Sequence, residues 1–95
     1  MHETNSMQRN VADPLSFSVT EVTGMRSLDV DGIDGHRIAS DVAGSMASML
    51  ELPANTPYAL RDDKAARMMK DDVPLGNQIG QTGTRLTVIP KSHLG

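Results

Sequence analysis

Cysteine is absent from the 95-residue chain. Structural disulfides, thiolate zinc sites and a thiol nucleophile of its own are therefore excluded. Tryptophan is missing too, and Phe17 and Tyr58 stand as single examples of their kinds, too few for base-stacking platforms. Positive charge is scarce. Nine Lys and Arg against twelve Asp and Glu give a net charge of -3, which argues against nucleic acid as a partner. No apolar run is long enough to cross a membrane, and the polar start MHETNSMQRN lacks the charged-then-apolar form of a signal peptide. The length allows one small domain, able to bury about 60–65% of its unfolded surface. These limits lead to an expected soluble, cytoplasmic, monomeric domain without membrane contact.

The hydrophobic pattern divides the chain. Residues 1–14, MHETNSMQRNVADP, have scattered apolar positions and close on Pro14. Ordering them would cost about 1–2 kcal/mol per residue with little burial in return, so they read as a disordered arm. A swapped strand or docked arm is the alternative. Leu15, Phe17 and Val19 then alternate with Ser16, Ser18 and Thr20, the period of a strand with one buried face. After Thr23-Gly24-Met25, a second alternation places Leu28 and Val30 inward and Asp29 and Asp31 outward, which predicts a hairpin.

From Ile38 to Leu52 the period changes. Ile38, Val42, Met46, Met49 and Leu50 lie three or four apart with Ala39 and Ala43 beside them, which predicts a helix. Its start is read either at Asp41 with Ser40 as cap or nearer Arg37, and Pro53 ends it. Gly44 inside it suggests close packing or a frayed turn, and Met46 and Met49 read as core filler. Tyr58 to Arg61 reads as a short strand, and 65–70 as either a short strand or an irregular turn with Met68 or Met69 inward. Leu75 and Ile79 anchor the following loop. Leu86 and Val88 are the inward residues of a last strand ending at Pro90, and residues 91–95 form a flexible tail. The expected core is Phe17, Val19, Leu28, Val30, Val42, Met46, Leu75, Ile79, Leu86 and Val88. The element order gives an α+β class, a mixed four- to five-stranded sheet packed on one helix over residues 15–90.

The hairpin FSVTEVTGMRSLDV, the helix ending at LELP, the strand YALR and the stretch VPLGNQIGQTGTRLTVIP together resemble the ubiquitin-like β-grasp family, of bacterial modifier type. The resemblance covers about four fifths of the chain. It implies a β-grasp roll in which Leu75 and Ile79 plug the open end. It also implies a carrier whose C-terminal glycine carboxylate, here Gly95, is adenylated by an E1-like activating enzyme, passed to a thiol and transferred to a protein amine. A conjugating enzyme and an isopeptidase are further implied partners. Relatives usually end in two glycines, often after arginine. This chain ends His93-Leu94-Gly95, so Leu94 must be accepted by the activating enzyme. Two other readings stay open: a non-conjugated interaction domain or adaptor binding through its sheet face, and a sulfur carrier through a thiocarboxylate.

The residues themselves favour a non-enzyme. His2, His36 and His93 have no acid at a spacing that would orient them, and no cysteine nucleophile exists. The pairs Asp62-Asp63 and Asp71-Asp72 fall in turns beside Lys64 and Lys70, so solvated turns are the stronger reading than acid–base or cation chemistry. Asp29, Asp31 and Asp34 lack the closing Glu of a calcium loop, and no glycine-rich nucleotide motif is present. No cofactor or metal is expected. Lys64, Lys70 and Lys91 offer few sites for self-linked chains. Partner contacts are expected at Tyr58, Leu60 and Ile89, with core packing as the counter-reading for each and at least as strong a reading for Leu60. Arg61, Arg67 and Arg85 form a basic rim or simply a soluble surface.

Overall fold

Alternating apolar residues produce the first strand, β1 (Pro14–Glu21), in the computed structural model, which describes residues 13–94. Leu15, Phe17 and Val19 point into the core, and Glu21 follows the same parity inward. β1 begins one residue inside the expected arm; residues 1–12 and Gly95 lie outside the described residues. A turn closed by the Gly24 N–H on the Glu21 carbonyl leads into β2 (Ser27–Asp34). Gly24 takes the left-handed conformation there, at φ 75°.

The antiparallel β1–β2 ladder slips once. Leu15 faces Ile33 but Phe17 faces Val30, so three steps on β2 match two on β1. Gly32, at φ 77°, supplies the backbone for this bulge. Leu28 is only half-buried against the core. β2 lies at the margin of the sheet, where fewer neighbours cover its inner face.

The helix α1 runs from Ala39 to Met49. Its buried residues are Ala39, Val42, Ala43, Met46 and Ala47, joined by Leu50 at the C-cap. Three alanines in this stripe let the helix lie close to the sheet. Met49 falls outside the stripe and is 54% exposed, so it does not serve as core filler. Ser40 is not the cap either. Ile38 occupies that position without a side-chain bond, and the first N–H groups find distant carbonyls: Ala39 N–H donates to Val73 and Ser40 N–H to Asp71. The helix start is thus satisfied by the loop that follows β4. At the other end, Leu52 N–H bonds Ala47 and Glu51 N–H bonds Ser48, a Schellman closure with Glu51 at φ 61° where glycine is usual.

β3 (Tyr58–Asp62) pairs with the two-residue β4 (Arg67–Met68) and with β5 (Thr84–Pro90). Of the two readings for residues 65–70, a short strand is present; Met69 is buried and Met68 partly exposed. Leu75–Asn77 form a 3₁₀ turn, with Leu75 and Ile79 buried. The sheet order is β2-β1-β5-β3-β4, with β1 and β5 parallel in the middle and the other pairs antiparallel. Helix on one face and mixed sheet on the other enclose a single core that contains Phe17, Val19, Val30, Val42, Met46, Leu75, Ile79, Leu86 and Val88. Each large aliphatic side chain fully buried there contributes about 1.5–3 kcal/mol relative to exposure.

Residues 91–94, expected to be a loose tail, coil into a 3₁₀ turn (Lys91–Leu94) directly after β5. The Lys91 N–H donates to Pro57, and its ammonium pairs with Asp71. A long-range ion pair gives this segment partners that its own sequence does not announce.

Candidate functional site

The sheet face opposite α1 is set by parity. Arg85, Thr87 and Ile89 on β5 point away from the core, as do Ala59 and Arg61 on β3. Ile89 is half-buried on this face, and Ala59 beside it is almost fully covered. The other two expected contact residues lie elsewhere. Leu60 is 1% exposed and Tyr58 7%, both within the core. Leu60 faces Val88 across the ladder, and the Tyr58 hydroxyl donates to the Pro53 carbonyl at 2.9 Å. Neither presents a surface to a partner, because their strand positions share the inward face with Val88 and Pro90.

The expected basic rim is partly neutralised. Arg61 pairs with Asp63 at 3.1 Å, and the Thr87 hydroxyl also donates to that carboxylate. Arg67 and Arg85 are exposed nearby. Two neighbouring acids serve a turn and an ion pair. Asp62 accepts the N–H groups of Lys64 and Ala65, and Asp71 holds Lys91. Among the described residues no cluster of three or more His, Cys, Asp or Glu side chains could hold a metal ion.

One histidine has a carboxylate nearby. Asp34 Oδ1 lies 3.8 Å from His36 Nδ1 and accepts the His36 backbone N–H. Both side chains are exposed in a turn, and 3.8 Å is too long for an orienting hydrogen bond. His93 is exposed on the terminal 3₁₀ turn, and His2 lies outside the described residues.

Where β5 ends, the described residues enclose a concavity of about 620 Å³, which the sequence reading missed. Its walls come from the β1–β2 turn (Val22, Met25), the segment after α1 (Leu52, Pro53) and the chain end (Pro90, His93). Met25 is 86% exposed at its edge, and Arg26 crosses from the turn to the Leu50 carbonyl at 2.7 Å, tying hairpin to helix end. The only early signal was a pair of apolar residues, Val22 and Met25, in an otherwise polar turn. At the base of this turn Glu21 turns its carboxylate onto the hydroxyl and N–H of Thr23. Those hydrogen bonds, the side-chain one first, hold the Glu21 carboxyl below its ordinary value against the opposing effect of desolvation. On the far end of α1, Asp41 is likewise lowered by its hydrogen bond and ion pair with Arg37.

No family model matches the chain, and no curated protein matches it in sequence. Solved structures do. A de novo protein designed on ubiquitin superposes with a TM-score of 0.64 at 16% identity, covering 83% of this chain and 90% of that one. The fold is a ubiquitin-like β-grasp. Trypanosoma brucei tubulin-binding cofactor B gives a TM-score of 0.63 at 13% identity, with 82% of this chain and 95% of that one covered. The C-terminal ubiquitin-like domain of mouse tubulin-specific chaperone e gives 0.59 at 15% identity, with 88% and 93% covered. At such identities the likeness establishes the β-grasp fold and not a particular activity. Within this β-grasp, the chain end emerges from the central strand β5, between the large concavity and the outer sheet face.

Proposed function

We propose that this β-grasp domain is a protein modifier whose reactive group is the Gly95 carboxylate. The observation that supports the reading is the central position of β5, the strand that leads into the terminal segment. β5 is a central, doubly paired strand, so it fixes the origin of a short tail that ends in glycine. Carrier chemistry needs only a main-chain carboxylate and an end that enters a partner's channel, and a chain without cysteine suits it because the thiol belongs to the partner. The carboxylate attacks the α-phosphate of ATP in an E1-like enzyme, releasing pyrophosphate. A thiol of that enzyme then displaces AMP to give a thioester, and a protein amine displaces the thiol to form an amide. Glycine leaves the acyl carbon unhindered. A conjugating enzyme, an isopeptidase, monomeric behaviour and a cytoplasmic setting accompany this reading.

The test is intact-mass analysis of the chain with ATP and the candidate activating enzyme. An acyl-adenylate or thioester is expected with the intact chain and none after deletion of Gly95, which should leave thermal unfolding unchanged. Absence of any adduct with the physiological activating enzyme would overturn the reading. A mass gain equal to exchange of one oxygen for sulfur would instead identify a thiocarboxylate carrier.

A second reading, an adaptor that binds a protein partner through the outer sheet face, is supported by the exposed Met68 and half-buried Ile89 there. It predicts that Ile89→Asp weakens partner capture while removal of Gly95 leaves it intact.

A further inference from the structure

The terminal turn sits beside the sheet face instead of projecting from the domain. Leu94 and Lys91 line one hollow of about 460 Å³ together with Ala59, Met68, Met69 and Asp71. Leu94 is 49% exposed, so about half of its surface is turned toward protein. The Lys91 ammonium reaches Asp71, twenty residues earlier in the chain, and both side chains are a third or more exposed. The Lys91 N–H is held by Pro57. Two polar ties therefore anchor the start of the turn, and at its end the half-exposed Leu94 lines a hollow shared with Ala59 of β3 and Met68 of β4.

We propose that Lys91–Leu94 is a latch: while coiled, it withholds the chain end and walls off part of the outer sheet face, and it must unwind before either becomes fully available. Length sets the first consequence. A 3₁₀ turn rises about 2 Å per residue and an extended chain about 3.3 Å, so uncoiling four residues extends the terminus by about 5 Å. Linkage sets the second. A ligand of the sheet face that displaces Leu94 favours the uncoiled tail, and a partner that draws the tail out favours the open face by the same factor. The latch also engages the Lys91 ammonium, which makes Lys91 a poor acceptor amine while the tail is coiled.

The consequence for carrier chemistry rests on the modifier reading; the latch is tested without an activating enzyme. The Lys91–Ser92 bond is a trypsin site, and cleavage requires the turn to open locally. Asp71→Asn keeps the backbone carbonyl that serves α1 but removes the carboxylate. A half-exposed ion pair of this kind predicts about a two- to fivefold faster cleavage after Lys91 in Asp71→Asn at unchanged global stability. Leu94→Ser is expected to act in the same direction. Methionine methyl NMR gives an independent readout. Truncation after Pro90 should shift the Met68 and Met69 signals and leave Met46, on the buried face of α1, in place. Equal cleavage rates in wild type and both variants, or a Met68 signal indifferent to truncation, would overturn the latch while leaving adenylation of Gly95 open to its own assay.

Discussion

Gly44 lies in the middle of α1, yet a Cβ built there meets no atom within 4 Å. The position is exposed and helical. Of the two readings that its place in the sequence suggested, close packing therefore does not account for this glycine. Alanine in an unobstructed helix interior is favoured over glycine by about 0.5–1 kcal/mol, mainly because the unfolded chain has less backbone freedom to lose. For a domain of this size that corresponds to a rise in melting temperature of about 2–8 °C. In urea, with a slope of about 1 kcal/mol/M, the midpoint should rise by about 0.5–1 M at constant slope. Gly32→Ala provides the opposite sign with equal free space. Nothing lies within 4 Å of its Cβ either, but φ is 77°, so the left-handed penalty of about 1–2 kcal/mol applies undiluted by clashes. Paired urea curves for the two variants separate conformation from packing. A lowered midpoint for Gly44→Ala, or an unchanged one for Gly32→Ala, would refute the reasoning.

Leu75→Ala should cost about 2–5 kcal/mol in urea unfolding, because Leu75 is fully buried and its removal leaves a cavity beneath the 3₁₀ turn. Leu60→Asp should unfold the domain by circular dichroism, whereas Ile89→Asp should leave it folded; the first buries a charge and the second replaces a half-buried residue on the outer face. The Glu21 carboxyl titrates lower when folded than when unfolded, so its contribution is present above the ordinary value of 4.5 and fades as pH falls through the folded one. Melting temperatures of Glu21→Gln should consequently fall less between pH 7 and pH 3 than those of the wild type.

The sequence was informative wherever a long enough period could be read. Leu15, Phe17 and Val19 mark β1 because six residues alternate, and Val42 and Met46 mark the buried stripe of α1. Tyr58 and Leu60 stayed divided between surface and core in the sequence because β3 has five residues with its first three all buried, which hides the alternation. Ala59 is covered although it faces outward, so burial there says nothing about side. The cap of α1 was unreadable for another reason: its acceptors, Val73 and Asp71, lie more than thirty residues away. The terminal turn depends on Asp71 and Pro57 in the same way. Local pattern reports elements, whereas these features arise from contacts between distant segments. The concavity beside β5 is assembled from three such segments and had no single sequence signature.

The parallel pairing of β1 with β5 places Phe17 beside Thr84, so the first strand waits for the last. On the ribosome, the hairpin and α1 emerge early with nothing to complete their sheet. Until Thr84–Pro90 arrives, β1 has an open inner edge, and so does β3. Such distant pairing also slows closure relative to locally connected folds. A chain interrupted before Thr84 therefore exposes two sticky edges and lacks the strand that leads to Gly95. Closure of the sheet thus depends on its last strand, and copies lacking that strand are open to aggregation or proteolysis along the same two edges.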